Sequence, residues 1–475
     1  MQPEQIGNSS KFSFFSELKI GWIVLLHFLF SFLVLVLFDG TGDEGDSVYH
    51  YLFAKYAPVQ KALFFDHWAK PVYVFLASPF AQLGMFGVKL LNVLLGGLSL
   101  FYTFKVAKLL KLPNPSIAAL LLLFQPLYFV LLFSGLTEPM FAFFAILATY
   151  FYLKNNFILS LIIISFLPLL RSEGLFFIGI FGLLLFVQKK WKLLPWLLVG
   201  SVIYGMLGWP VHGTPFWVFA KVPYAKMSST YGSGDAFHYV EQLFYVIGIP
   251  IYILFWLGFL KNMVELIKST WKNTKHLLIY GTIVAFIVAH SIFWYFGIFN
   301  SMGLKRVLIC LTPFIAIAAL EGWNTLTELF PKKVRMAISI LIIGAVVLFP
   351  FTKNKAAIDF RKDFSLTISQ QAAQKTVLFL NENHIPFNRL VTAHPFFCEL
   401  LSLNCFDPNQ KVFLNEESLA NLTKNDIVIW ETWFAVVEQG ITEEDLNRFD
   451  LETLYELSAM NEKNRVIQYK VLRKK

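Results

Sequence analysis

Residues 20–53 read "IGWIVLLHFLFSFLVLVLFDGTGDEGDSVYHYLF". From Ile20 to Phe38 there is no Asp, Glu, Lys or Arg. A helix needs about 17–25 apolar residues to cross the hydrocarbon core of a bilayer, so this run is long enough to span. Directly after it, Asp39, Asp43, Glu44 and Asp46 crowd into eight positions. Carboxylates are costly in hydrocarbon, so the loop marks where the first helix meets water. No small-residue cleavage site follows the run, which is therefore read as an uncleaved signal anchor.

The same alternation recurs along the chain. Of its 475 residues, 56% are hydrophobic and 15% charged, with 52 Phe, which excludes an ordinary soluble domain. Apolar spans are expected at 20–38, 84–104, 116–133, 139–153, 157–170, 174–188, 193–210, 242–260, 277–298, 307–321 and 336–351. The cations fall in every second loop: Lys105, Lys108 and Lys111; Lys154; Lys189, Lys190 and Lys192; Lys261, Lys268, Lys272 and Lys275; Lys332, Lys333 and Arg335. By the positive-inside rule these loops are cytoplasmic, giving about eleven transmembrane helices with the N terminus inside and the C terminus outside. The +9 net charge is then mostly a topology signal, and no nucleic-acid partner is called for.

Near residue 352 the composition changes. "AAQKTVLFLNEN" has helical spacing, whereas "RLVTAHPFF", "DIVIWETWF" and "RVIQYKVL" have strand character. The fold class expected is an all-α polytopic membrane protein over residues 1–351 with a small α/β extracytoplasmic domain over 352–475. Cys398 and Cys405 would face the oxidising side, where either a disulfide or two thiols fit the spacing, while Cys310 reads as core packing. "WETWF" (430–434) serves either as domain core or as a sugar-stacking surface. Sequons occur at Asn8 and Asn421, the first on the cytoplasmic side.

Sorting charges by side is the informative step. The acids before residue 352 that fall outside are Asp39, Asp43, Glu44, Asp46, Asp66, Glu138, Glu173, Asp235 and Glu241; those inside are Glu4, Glu17, Glu265, Glu321 and Glu328. The outer face also carries cations that break the positive-inside pattern, among them Lys70, Arg171, Lys305 and Arg306. Glu138, Arg171 and Glu173 stand in apolar sequence, where ionisable groups face cavities or pair with one another. Carboxylates and cations on one face suit transfer of a phosphate-linked sugar from a lipid. A carboxylate can take the proton of the incoming hydroxyl, and fixed cations can stabilise charge growing on the departing phosphate.

At these residues the sequence resembles the polytopic glycosyltransferases of the C type (GT-C), in particular the lipid-phosphate-sugar-dependent mannosyltransferase and aminoarabinose transferase branches. The resemblance is carried by "GDEGDSVYHYLF", "HWAKPVYVFLASPF", "SGLTEPMF", "LRSEGLFF" and "GLKRVLICLTPFIAI", in that order and all on the outer face. It implies that Asp43 is the catalytic base, with Glu44 beside it as the second candidate. Lys70 before Pro71, and Arg306 with Lys305, would hold the donor phosphate. Asp46, His67, Glu138, Arg171 and Glu173 would shape the sugar and acceptor pocket, and His50 is a further polar candidate. Val72 stands where relatives often have a second proline. No DxD signature is present, so no cofactor is required, although "DEGD" leaves room for a divalent cation.

The function expected is an inverting transfer of a hexose, mannose among them, from a polyprenyl-phosphate donor to a lipid, glycan or protein acceptor outside the membrane. The rival reading is a transporter or flippase of lipid-linked sugars, which calls for a midplane site between repeated halves, and no such repeat is visible. The segment 210–241, rich in Gly and Ser, reads either as a mobile segment able to close over substrate or as a disordered connector.

Overall fold

A computed structural model describes residues 19–225, 227–268, 274–352, 358–360, 363–460 and 465–474. Asn8, Glu4, Glu17 and Lys272 lie outside the described residues. All eleven expected spans coincide with helical segments. Six helices among the described residues are long and apolar enough to cross a membrane: Ile20–Leu37, Gly84–Leu109, Trp191–His212, His276–Phe296, Lys305–Glu328 and Lys333–Phe351. The rest are shorter or broken, each for a local reason. Pro126 starts a new helix after Gln125, splitting Ser116–Leu123 from Pro126–Leu131. Gly248, at φ 79°, parts His238–Ile247 from Ile249–Lys268. The backbone groups freed at such breaks find polar side chains: Gln125 Nε2 donates to the Thr312 carbonyl (3.0 Å), and Asn92 Nδ2 to those of Ser134 (2.8 Å) and Leu136 (3.2 Å).

The first helix shows how lipid and protein faces separate. Trp22, Leu29, Phe32, Val36 and Leu37 are exposed on one side. On the other, buried His27 bonds the Val93 carbonyl through Nε2 (2.9 Å) and packs against Gly96 and Gly97. The exposed apolar side has no counterpart in a soluble protein of this kind and matches a lipid-facing surface.

The segment after the first helix, read from sequence only as an outer loop, is largely helical, with Asp46–Tyr56, a 3-10 turn Lys61–Phe65 and Pro71–Ala81. Onto it docks the C-terminal unit. Its strands are β1 (Arg389–Thr392), β2 (Lys411–Val412), β3 (Asp426–Glu431), β4 (Leu451–Met460) and β5 (Val466–Lys474), in the order β2-β1-β3-β5-β4. β1 is parallel to β2 and β3, and β5 runs antiparallel to β3 and β4. The expected helix is Ile368–Glu382, started by a capping box between Thr367 and Gln370. Cys398 and Cys405 are disulfide-bonded, and Cys310 is buried and free. Of the "WETWF" run, Trp430 and Phe434 are buried core, with Trp430 Nε1 donating to the Ile441 carbonyl (2.8 Å); the sugar-stacking alternative holds for neither. Trp433 is 40% exposed.

Helices Ile249–Lys268 and Thr312–Glu328 approach to near backbone contact, because a Cβ at Gly322 would lie 1.8 Å from the Leu254 carbonyl oxygen. Small residues permit such approach between membrane helices. Gly322→Val is therefore expected to cost about 1–3 kcal/mol or more through overpacking, read as a lowered thermal midpoint in detergent. Gly344→Ala, with open space around it, should leave the midpoint unchanged.

Candidate active site

The acidic loop takes its shape from local chemistry. Asp43 Oδ1 accepts the backbone N–H of Gly45 (2.9 Å) and Ser47 (3.3 Å), which fixes the carboxylate and leaves Oδ2 pointing away from its own loop. Gly42, at φ 71°, gives the turn its left-handed step. Ser47 Oγ donates to the Thr41 carbonyl and accepts from Gly135 N, both at 2.7 Å, so the loop is tied to the segment after Pro126–Leu131. A side chain at Gly135 would collide with the Ser47 carbonyl at 2.2 Å.

Arg306 is the meeting point. Its Nη1 lies 2.7 Å from Asp43 Oδ2, its Nη2 bonds Asp46 Oδ2, and its Nε lies 3.4 Å from Glu138 Oε1. Glu138, wholly buried, also pairs with Arg171 Nη1 at 2.8 Å. Arg171 Nη2 in turn pairs with Glu173 Oε1 at 2.7 Å, and its Nη1 donates to Thr137 Oγ1 at 3.0 Å. Four carboxylates and two guanidiniums from four separate outer segments thus form one continuous network.

Helix ends supply part of the counter-charge. Asp46, Glu138 and Glu173 each stand at the start of a helix: Asp46–Tyr56, Glu138–Leu153 and Gly174–Val187. A helix N terminus carries about half a positive charge and favours a carboxylate there. Burial pushes Glu173 up, but Arg171 and then His290 outweigh it and hold the carboxyl down at about 2. For Asp46, burial again opposes, and Arg306 followed by His50 holds the group below its ordinary range.

Lys70 completes the set of cations. It has φ 68°, a left-handed backbone unusual for a residue with a side chain and more so before a proline. Such strain persists only where the surroundings impose it. Asp66 Oδ1 caps the turn from below by accepting Ala69 N (2.9 Å), and Lys70 Nζ donates to Ser172 Oγ (3.4 Å), between Arg171 and Glu173. Burial pulls the Lys70 ammonium down to about 8, against the opposing pull of Glu173.

Asp43, Asp46, Glu138, Arg171, Glu173, Arg306 and Lys70 are therefore drawn to one end of the bundle, and four other sequence candidates make different contacts. Glu44 Oε1 accepts Thr367 Oγ1 at the cap of the C-terminal helix, and burial raises its carboxyl. It belongs to the domain junction. His67 faces the 210–241 segment, with Nε2 on the Val218 carbonyl at 3.0 Å, and burial lowers its pKa. Lys305 holds its ammonium over the Tyr245 ring, 5.2 Å from the centroid. His50 stacks on Trp68 with ring centroids 5.1 Å apart and is pulled to about 3 by burial, so it stays neutral.

Sequence reasoning missed several members. His290, alone in an apolar span, stands 3.9 Å from Glu173 Oε1, and its isolation was a usable signal. Thr367 and Gln370 had none: Gln370 Nε2 donates to Thr41 Oγ1 (2.7 Å), which donates to the Asp43 carbonyl (2.6 Å). In the 210–241 segment, Tyr224 OH accepts from Trp68 Nε1 (2.8 Å) and Ser229 N donates to the Gly297 carbonyl (2.7 Å). The Oδ2 atoms of Asp43 and Asp46 are both taken by Arg306, and no group of three or more His, Cys, Asp or Glu converges as metal ligands among the described residues.

Architecture and site together describe a polytopic membrane protein with a charged cluster at one end of its bundle, under a small α/β unit. The chain is similar to the crystal structure of ArnT from Cupriavidus metallidurans bound to undecaprenyl phosphate, with a TM-score of 0.59 and 12% identity over 95% of this chain and 97% of that one. It is also similar to ArnT from the same organism in the apo state (TM-score 0.60, 12% identity, 95% and 98% covered). No family model and no curated protein matches the sequence. At this identity the likeness speaks for the fold alone: the chain has the polytopic helical architecture of the two ArnT structures.

Removing one partner from a buried ion network leaves an uncompensated charge, at a cost of about 3–5 kcal/mol. Arg171→Met is expected to lower the thermal midpoint far more than Arg448→Met on the exposed C-terminal surface. Because Glu173 is depressed in the fold, its contribution is complete above its ordinary 4.5 and fades as pH falls toward about 2. The midpoint should drop across that window in the native protein and less in Glu173→Gln.

Proposed function

We propose that the chain is an inverting glycosyltransferase that moves a hexose from a polyprenyl-phosphate donor to an acceptor hydroxyl at the outer face of the membrane. The observation that carries this reading is Arg306 gripping Asp43 and Asp46 beside Glu138, with Lys70 and Arg171 close by. The similar ArnT structure, with undecaprenyl phosphate bound, supports a lipid phosphate as the donor's carrier. In this reading residues 1–351 form the transferase unit with eleven crossings and residues 352–475 an extracytoplasmic domain. The N terminus is cytoplasmic, in a bacterial plasma membrane. Mannose is among the donor sugars the motif resemblance suggests.

The charge balance suggests how the reaction is set up. The cluster holds the carboxylates of Asp43, Asp46, Glu138 and Glu173 against the cations Lys70, Arg171 and Arg306. An incoming phosphate is therefore not simply added to a positive pocket. It exchanges with a carboxylate for the Arg306 guanidinium, whose fork geometry suits phosphate as well as carboxylate. The exchange frees Asp43 Oδ2 while the Gly45 and Ser47 amides keep Oδ1 in place. The acceptor oxygen then forms a bond to the anomeric carbon as the bond from that carbon to the phosphate oxygen breaks on the opposite face. Asp43 takes the hydroxyl proton, and the polyprenyl phosphate leaves with the bonding electrons, stabilised by Arg306 and Lys70.

Purified protein is to be incubated with a panel of radiolabelled polyprenyl-phosphate sugars and membrane-derived acceptors. Asp43→Asn is expected to cut transfer by about 10²–10⁴-fold, the usual worth of a general base, while donor binding survives. Undiminished transfer would sink the assignment of the base, and sugar crossing vesicles without a new glycosidic bond would replace the enzyme by a transporter.

Lys70 gives the reaction an alkaline limit. A lysine at about 8 in the free enzyme is charged below that pH and neutral above it, and kcat/KM reports the free enzyme. The expected outcome is a decline of kcat/KM as pH rises through about 8. Lys70→Arg should remove that decline, because guanidinium keeps its charge throughout.

A further inference from the structure

A cavity lies beside the acidic loop, which lines it through Asp39 and Thr41. It has a volume of about 210 Å³ and is walled by the end of the first helix (Leu35, Phe38), the start of Gly84–Leu109 (Phe86) and the C-terminal domain. Lys89, Asp39 and Glu399 are its charged walls. Lys89 is 6% exposed, yet among the described residues its ammonium makes no hydrogen bond and no ion pair. A buried, unpaired ammonium is costly unless something answers it.

Depth identifies the ligand's surroundings. Lys89 stands five residues into its helix, about 8 Å along the axis at 1.5 Å per residue. Asp39 follows the end of the first helix at Leu37 and is exposed. Phe86, which is 50% exposed, flanks the cavity near the start of a helix long and apolar enough to cross a membrane, so the cavity borders the apolar surface of that helix close to its end. Ligand charge follows from the walls. A lone phosphate would meet Lys89 but be repelled by two carboxylates, and a lone cation would meet the reverse. Glu399 spends Oε2 on Tyr51 OH (2.8 Å) and Lys55 Nζ (3.2 Å), leaving its other oxygen to accept. The walls suit a headgroup with both signs, phosphate on Lys89 and a hydrogen-bonding ammonium on Asp39 and Glu399. A primary ammonium offers three N–H donors to those carboxylates, which a quaternary one lacks.

We infer that this cavity binds the headgroup of an amino-phospholipid of the phosphoethanolamine kind, with its acyl chains lying along Leu35 and Phe86. The site is separate from the donor site but touches it through Thr41, which lines the cavity and donates to the Asp43 carbonyl at 2.6 Å.

The test uses full-length protein stripped of lipid in detergent, with native mass spectrometry against dioleoyl phosphatidylethanolamine, phosphatidylglycerol and phosphatidylcholine, and water-soluble O-phosphoethanolamine as competitor. The native chain should prefer phosphatidylethanolamine. Lys89→Met should weaken that binding at least tenfold, and Lys89→Arg should keep it within about threefold at an unchanged thermal midpoint. Asp39→Asn, at an exposed position that tolerates change, should shrink the preference over phosphatidylglycerol. Equal binding by Lys89→Met, a preference for the glycerol or choline headgroup, or competition by O-phosphoethanolamine on a par with the lipid would each overturn the assignment.

Discussion

Arg306 is the constraint around which one end of the molecule is organised. Its guanidinium is held by Asp43 and Asp46 and faces Glu138, and through Glu138 it joins Arg171 and Glu173. Side chains that are largely out of water stay ionised only when paired, and here each pair depends on the next. The network therefore ties the segments around residues 43, 138, 171 and 306 into one unit. Within the cluster carboxylates outnumber cations. The starts of Asp46–Tyr56, Pro71–Ala81, Glu138–Leu153 and Gly174–Val187 lie at this cluster, so backbone dipoles supply positive potential that no side-chain count records.

The C-terminal domain acts on the same loop from the other side. Thr367 and Gln370 start its first helix by capping each other, and the same two side chains reach Glu44 and Thr41. Gly40 N donates to the Phe364 carbonyl (2.9 Å), and the Phe434 ring lies so close to Gly45 that a Cβ there would meet it at 3.0 Å. The glycines of "GTGDEGD" are thus contact positions as much as turn positions. The loop is shaped by surfaces contributed from more than three hundred residues away.

How much of this was legible in the sequence follows from the range of each interaction. Spans and charged boundaries were legible because solvent preference acts residue by residue, and Glu138, Arg171 and Glu173 stood out because a charge in apolar sequence must find a partner. The partner itself was not legible. Glu44 and Asp43 are neighbours with the same chemistry, yet one meets Arg306 and the other Thr367. Lys305 and Arg306 likewise diverge, one over Tyr245 and one into the network. Adjacent residues in a turn point in different directions, and composition carries no information about which. The helices within 38–83 were hidden for a related reason: their apolar residues are divided between contacts with each other, with the bundle and with the C-terminal domain, so periodicity over so few residues is weak.

The location of the cluster also bears on the choice between enzyme and transporter. A transporter that alternates access needs its site near the midplane, where each half of the protein can open it in turn. Here the charged groups sit at helix starts beneath a domain that caps them, and the segment 210–241 is fastened to residues 294–303 by main-chain and side-chain bonds. Rocking the bundle would have to break the Arg306 and Arg171 pairs together, leaving several buried charges unpaired at once. A carboxylate exchanging with a phosphate on Arg306 breaks none of the scaffold's other bonds, because Asp43 keeps its two amide donors and Glu138 keeps Arg171.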